Sequence, residues 1–248
     1  MRLYELRDYI GCELQVARFR DYCPNGVQVE GRSEVRRLAT AVTASYAVLQ
    51  AATAWGADAL LVHHGYFWRN EDAAITGIKK RRIAHLLQHD MSLLAYHLPL
   101  DVHPEYGNNA QLAHRLGLQE EGRFGEQDVA CHGRLAQPQA LGDFAAQVQA
   151  MLGREPQVIG DRQATVSRLA WCTGAAQGYF EQAVALGVGA FLTGEISENN
   201  VHTAREYGVA FIAAGHHATE RYGVQAFGLH LARQFGLEHC FFDEEVPV

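Results

Sequence analysis

The chain has no CxxC pair, no Gly-Lys-Ser/Thr phosphate loop and no dinucleotide glycine fingerprint. It also lacks any apolar run near the roughly 20 residues a membrane span requires. Its five cysteines (Cys12, Cys23, Cys131, Cys172, Cys240) are odd in number and scattered. That argues against a disulfide framework and a structural zinc ribbon, and fits a reducing compartment. The opening Met-Arg-Leu-Tyr-Glu-Leu-Arg-Asp-Tyr-Ile has no signal-peptide apolar core, so the expected localisation is cytoplasmic. Positive charge is short as well: the formal net charge is -7, which gives no general attraction to phosphate backbones. Nucleic acid is therefore a disfavoured partner, with local exceptions left open.

What is present is an ordinary globular composition, 48% hydrophobic and 20% charged over 248 residues. That length builds one large or two modest domains with real cores. Four short apolar runs each end in a metal-grade polar group. Ala59-Leu60-Leu61-Val62 ends in His63-His64, and Leu93-Leu94-Ala95-Tyr96 in His97 with Asp101 beyond. Ala190-Phe191-Leu192-Thr193 ends in Gly194-Glu195, and the run Val209 to Ala214 in Gly215-His216-His217 with Glu220 following. If these runs are buried parallel strands, their carboxyl ends share one sheet edge, where open α/β folds place ligands. Imidazole and carboxylate converging there suit zinc, iron, manganese or nickel better than calcium.

An internal repeat emerges when Gly56 is superposed on Gly187. Ala59 then pairs with Ala190, Leu61 with Leu192, and His64 with Glu195. Each copy reads as a strand, a helix closed by glycine, and a buried strand, which implies parallel pairing through crossover helices. The expected fold is α/β: two similar halves related by the repeat, with mixed sheets flanked by helices. The first half covers residues 1–117, with a C-terminal segment 200–248 packing near it. An intervening α+β segment covers 118–160, and the second half 161–248.

Adjacent histidines on a regular strand point to opposite faces. His63 and His64 can serve one site, or two neighbouring metals, only where the strand gives way at Gly65. His216 and Glu220 stand i, i+4 and share a helix face, with His217 competing at i, i+3. Asp101 follows Pro99 and can bridge two cations. His63, His64, Asp101, His216 and Glu220 together make an open set for two ions. Divalent metals held this way activate water, so hydrolysis is the default chemistry. His97 is a ligand, a partner to a ligand, or a substrate-facing acid or base. Glu195 is a general base or holds a substrate amine, against a plain ion pair with Arg205 or Arg221.

Weaker features have plainer readings beside the functional ones. The small residues of Thr173-Gly174-Ala175-Ala176-Gln177-Gly178 form an anion seat or simply a tight turn. Tyr66-Phe67-Trp68 stacks on a substrate ring or packs under a loop. Lys79 to Arg82 grips a phosphate or forms a solvated helix face. His85 and His89, also i, i+4, are read as a partly solvated face.

Asp21-Tyr22-Cys23-Pro24-Asn25-Gly26-Val27-Gln28-Val29-Glu30-Gly31, Val62-His63-His64-Gly65-Tyr66-Phe67-Trp68 and Gly215-His216-His217-Ala218-Thr219-Glu220 together resemble the Nif-three-like family. Trp171-Cys172-Thr173-Gly174 and Thr193-Gly194-Glu195-Ile196-Ser197-Glu198 fit as well. The resemblance implies two divalent metal ions per subunit, iron, manganese, zinc or nickel, in a toroidal homohexamer built from trimers. It assigns His63, His64, Asp101, His216 and Glu220 as ligands, and so favours His216 over His217. Family members carry the name GTP cyclohydrolase 1 type 2 homologue, which implies ring opening of a nucleotide-like substrate. The rival expectations are a metal-containing oligomeric scaffold without turnover and a nucleotide phosphohydrolase.

Overall fold

The computed structural model, which describes residues 1–248, folds both copies of the repeat as strand, helix and parallel strand. The chain divides into two units, Met1–Gly107 with Gly223–Glu245, and Asn108–Tyr222 with Val246–Val248. The first unit opens with α1 (Leu3–Glu13), β1 (Gly26–Val29), β2 (Arg37–Thr43), α2 (Tyr46–Trp55) and β3 (Ala59–His64). It continues through α3 (Gly77–Gln88), β4 (Ser92–Ala95) and the short α4 (Leu98–Val102). The second contains α5 (Asn108–Leu116), β5 (Leu118–Phe124), β6 (Ala130–Ala140), α6 (Leu141–Leu152), β7 (Gln157–Ile159) and β8 (Thr165–Trp171). It goes on to α7 (Phe180–Ala185), β9 (Ala190–Thr193), α8 (Glu198–Tyr207) and β10 (Ala210–Ala213). Helix α9 (His216–Phe235) then leads to β11 (Glu238–Phe241), which pairs with β2 in the first unit.

The first unit's sheet runs β1-β4-β3-β2-β11, and the second's β5-β6-β8-β9-β10-β7. Within each, three consecutive strands are parallel (β2, β3, β4 and β8, β9, β10), and an antiparallel strand (β1 or β7) closes the third of them. The repeat therefore extends to four strands per copy. The two glycines that revealed it, Gly56 and Gly187, both take left-handed φ, +80° and +69°, just after their helices. Ser45 caps the start of α2 by accepting the Val48 N–H at 3.2 Å.

Continuous apolar runs at the centre of each sheet follow from burial on both faces. In the first unit Leu38, Val42, Leu61 and Leu94 pack in one cluster with α1 and the later part of α9. The alternate residues Ala39, Ala41, Leu60, Val62 and Leu93 pack on the other face under α2 and α3. In the second unit Trp171, Leu192 and Ile212 pack with α5 and α6, while Phe191 and Phe211 turn away to meet Phe180 of α7. Two expectations change. The four apolar runs with polar ends are parallel strands of two sheets, β3 and β4 in one, β9 and β10 in the other, because each repeat closes its own layer. The intervening segment 118–160 is not separate from the second half: it supplies β5, β6, β7 and α6 to the second unit. No helix is long and apolar enough to cross a membrane.

The ring of His239 on β11 is half-buried, with Nε2 2.8 Å from Thr40 Oγ1, and burial lowers its pKa from the ordinary value. A histidine kept neutral in the folded state and protonated in the unfolded one stabilises the fold above pH ~6.5 and loses that stabilisation as pH falls further. Urea midpoints at pH 7.5 and 5.5 should therefore drop more for the wild type than for His239→Gln. The difference is bounded by one proton, about 1.4 kcal/mol per pH unit. Equal drops would remove His239 as the cause.

Candidate metal centre

Strand β3 delivers His63 and His64 at its last two positions, and their rings lie 4.5 Å apart although strand residues alternate faces. The convergence occurs because β3 stops there: Gly65 follows, too close to Gln28 and Ala95 for any side chain. Past the end of β4, His97 stands at the N-terminus of α4, its ring 5.0 Å from that of His63 and 5.9 Å from that of His64. One donor atom from each of these three rings lies within 4.8 Å of the others. Asp101, buried on α4, places Oδ1 3.5 Å from His63 Nε2.

Every one of these rings is anchored through Nδ1. His63 Nδ1 meets the Tyr96 carbonyl at 3.1 Å, His64 Nδ1 the Thr43 hydroxyl at 3.2 Å, and His97 Nδ1 Asp21 Oδ1 at 2.7 Å. Nε2 is then the donor each can offer a cation, the arrangement outer partners impose on metal-binding histidines. Burial alone would raise the Asp21 carboxyl, but hydrogen bonds with His97, Asn25 and the Tyr22 N–H hold it below the usual range. Cys23 also lies near Asp21 and His97, where burial pushes its thiol up to about 12.

In the second unit α9 starts at His216, directly after Gly215 (φ +100°), so His216 and Glu220 share its first turns. His216 Nε2 lies 3.2 Å from Glu220 Oε2, and Nδ1 lies 2.7 Å from Glu195 Oε1. Glu195 thus meets His216, and its Oε2 also accepts the Gln177 amide at 3.4 Å. Burial of His216 works against its charge, but Glu220 and Glu195 outweigh it and raise the imidazole to about 9. Its proton puts one positive charge between two carboxylates, whose full neutralisation would take a divalent cation. Glu220 is 3% exposed, and a Cβ on Gly174 would overlap its carboxylate, so the bare glycine backbone keeps space beside it. A half-buried imidazole beside a buried carboxylate fits a divalent transition metal.

The remaining sequence candidates resolve toward structure. Around the suggested anion seat three of the N–H groups are used internally: Thr173 on Asn109 Oδ1, Gly174 on Thr219 Oγ1, Ala176 on Thr193 Oγ1. Lys79 donates to the Asp72 carbonyl, Arg81 covers the Tyr46 ring and Arg82 faces Tyr66. His85 Nε2 engages Thr53 Oγ1 at 2.9 Å. Tyr66 is buried with its hydroxyl on the Ala44 carbonyl, whereas Trp68 stands edge-on to His97 at 5.1 Å and flanks the histidine cluster. A cleft of about 620 Å³ in the second unit, near Gly189, Arg205 and Ala210, opens at the opposite ends of β9 and β10 from Glu195 and His216.

With this geometry in place, comparison with known proteins is decisive for ancestry. The sequence pattern of Duf34/NIF3 (NGG1p interacting factor 3) matches residues 1–247. The chain belongs to this family. Among Duf34/NIF3 relatives, a Pseudomonas aeruginosa protein named GTP cyclohydrolase 1 type 2 homolog is 56% identical over 233 residues, covering 93% of this chain and 92% of that one. A solved structure described as protein ybgI, of unknown function, superposes with TM-score 0.96 at 45% identity, with both chains covered completely. A Thermus thermophilus protein of solved structure superposes with TM-score 0.92 at 33% identity, again over the full length of both.

Asp21, Asn25 and Thr43 carry no ligand signal of their own in the sequence. Asp21 and Asn25 lie within a motif that marked the family, yet no spacing rule ties them to His97, which is brought to them only by the pairing of β1 with β4.

Proposed function

We propose that this Duf34/NIF3 protein is a dinuclear metal-dependent hydrolase of a nucleotide-like substrate, with His63, His64, Asp101, His216 and Glu220 as ligands. GTP ring opening is the specific form of the proposal. The observation that carries it is the convergence of three Nδ1-anchored imidazoles beside the buried Asp101 carboxylate. Relatives named GTP cyclohydrolase 1 type 2 homolog support the choice of substrate. Iron, manganese, zinc and nickel all suit a nitrogen and oxygen donor set. When bound, two such ions supply a nucleophile from water at neutral pH and neutralise developing charge. The protein's own groups do the rest: Glu195 orients His216 through Nδ1, His97 offers a proton acceptor, and Trp68 gives a flat wall for a ring.

The test is mass-resolved turnover of GTP by metal-replete protein, with metal content measured and His64→Ala and Glu220→Ala as controls. Formate and a ring-opened purine, abolished in both controls together with most of the metal, are expected. Inorganic phosphate instead would reassign the chemistry to a phosphohydrolase. Two ions per chain with no turnover of GTP or other nucleotides would leave the scaffold reading. The family resemblance also supports a toroidal homohexamer, checked by native mass at six times the 27.4 kDa chain.

A further inference from the structure

The motif from Asp21 to Gln28 has no part in the ligand set, yet it wraps the histidine cluster. The Asp21 side chain is 2% exposed and makes four polar contacts. Oδ1 accepts the Tyr22 N–H at 2.6 Å and lies 2.7 Å from His97 Nδ1. Oδ2 accepts the Leu98 N–H and the Asn25 amide, each at 2.9 Å. Asn25 cannot turn over, because its Oδ1 accepts the His97 backbone N–H at 2.7 Å. An ionised carboxylate only accepts, so the hydrogen between Asp21 and His97 belongs to His97 Nδ1. Gln28 supports the neighbouring segment: it accepts the Tyr66 N–H at 2.6 Å and donates to the Pro24 carbonyl at 2.9 Å. That pins the chain immediately after His63 and His64.

We propose that Asp21 is a positioning residue: it fixes His97 as the Nδ1–H tautomer and presents the Nε2 lone pair to the cluster with His63 and His64. There Nε2 accepts a hydrogen bond from the substrate or its attacking water, a role that rests on the hydrolase reading above. Only the neutral Nδ1–H form has an acceptor facing the site; the other tautomer would present a donor and reverse the interaction.

Asp21→Asn is the diagnostic change. An asparagine amide nitrogen on the Oδ2 side would oppose two fixed donors, Leu98 N–H and Asn25. On the Oδ1 side it meets one fixed donor and His97, which can change tautomer. The substituted amide therefore faces His97 and drives it to Nε2–H.

Long-range ¹H–¹⁵N spectra of metal-free, histidine-labelled full-length protein read this directly, with the His97 signal assigned by His97→Gln. Nδ1–H in the wild type and Nε2–H in Asp21→Asn are expected. In the metal-loaded protein, GTP turnover should fall at least about 100-fold at unchanged metal content. Nε2–H in the wild type overturns the proposal without need of any variant, as does one tautomer in both proteins. Metal lost from Asp21→Asn would make His97 a ligand and overturn its acceptor role. If the tautomer inverts but neither protein turns over GTP, the positioning by Asp21 stands and the GTP reading falls.

Discussion

Gly174→Ala should strip metal from the ligands proposed for the second unit, His216 and Glu220, while Gly187→Ala leaves it bound. Both glycines have φ +69°, so both substitutions carry the same left-handed backbone cost, about 1–2 kcal/mol. They differ in what the new methyl meets. At Gly187 nothing lies within 4 Å. At Gly174 the methyl would overlap the Glu220 carboxylate and stand 3.3 Å from His216 Nε2. Glu220 is buried, on a helix whose Thr219 hydroxyl also receives the Gly174 N–H at 3.0 Å, so neither side can retreat cheaply. Metal content by elemental mass spectrometry, beside urea unfolding of both variants, separates the two effects. Equal metal in the two proteins would show that the space beside Glu220 is not needed for binding.

Trp171→Ala should be the most destabilising single truncation, roughly 3–5 kcal/mol as for other fully buried large aromatic residues. Trp171 is 0% exposed at the end of β8, packed among residues of α5 and α6, and its indole N–H donates to the Asn109 carbonyl at 3.2 Å. Asn109 in turn holds Thr173 N–H at 3.0 Å and donates to the Val129 carbonyl at 2.8 Å. The indole thus braces the segment that carries Gly174. Trp171→Phe keeps the ring but removes this buried donor, which costs about 1–3 kcal/mol. Urea midpoints should rank wild type above Phe above Ala. A loss under about 1 kcal/mol for the alanine variant would mean that the surrounding core collapses onto the vacated volume.

The repeat and its strand-helix-strand order were legible in the chain because parallel strands buried on both faces are written as unbroken apolar runs, and because glycine after a helix marks its end. His216 and Glu220 were legible for a related reason: their i, i+4 spacing is a distance rule inside one helix, and α9 obeys it. That helix runs unbroken from His216 to Phe235, since the glycines at 223 and 228 do not interrupt it. Gly228 instead leaves room for the His239 ring and Thr40 on neighbouring strands.

Other features were settled only by tertiary structure. Nothing in the sequence separates one sheet edge from two, because ladder partners are chosen by burial across the whole layer and not by the runs themselves. Asp21 and His97 are 76 residues apart, and Glu195 and His216 are 21. A hydrogen bond over such separations depends on strand order, which no local spacing encodes. By itself, then, the sequence determined the residue types, the repeat and the short-range pairs. The fold decided which nitrogen of each histidine is anchored and which carbonyl, hydroxyl or carboxylate holds it, because those choices are made by groups that meet only after the sheets have formed.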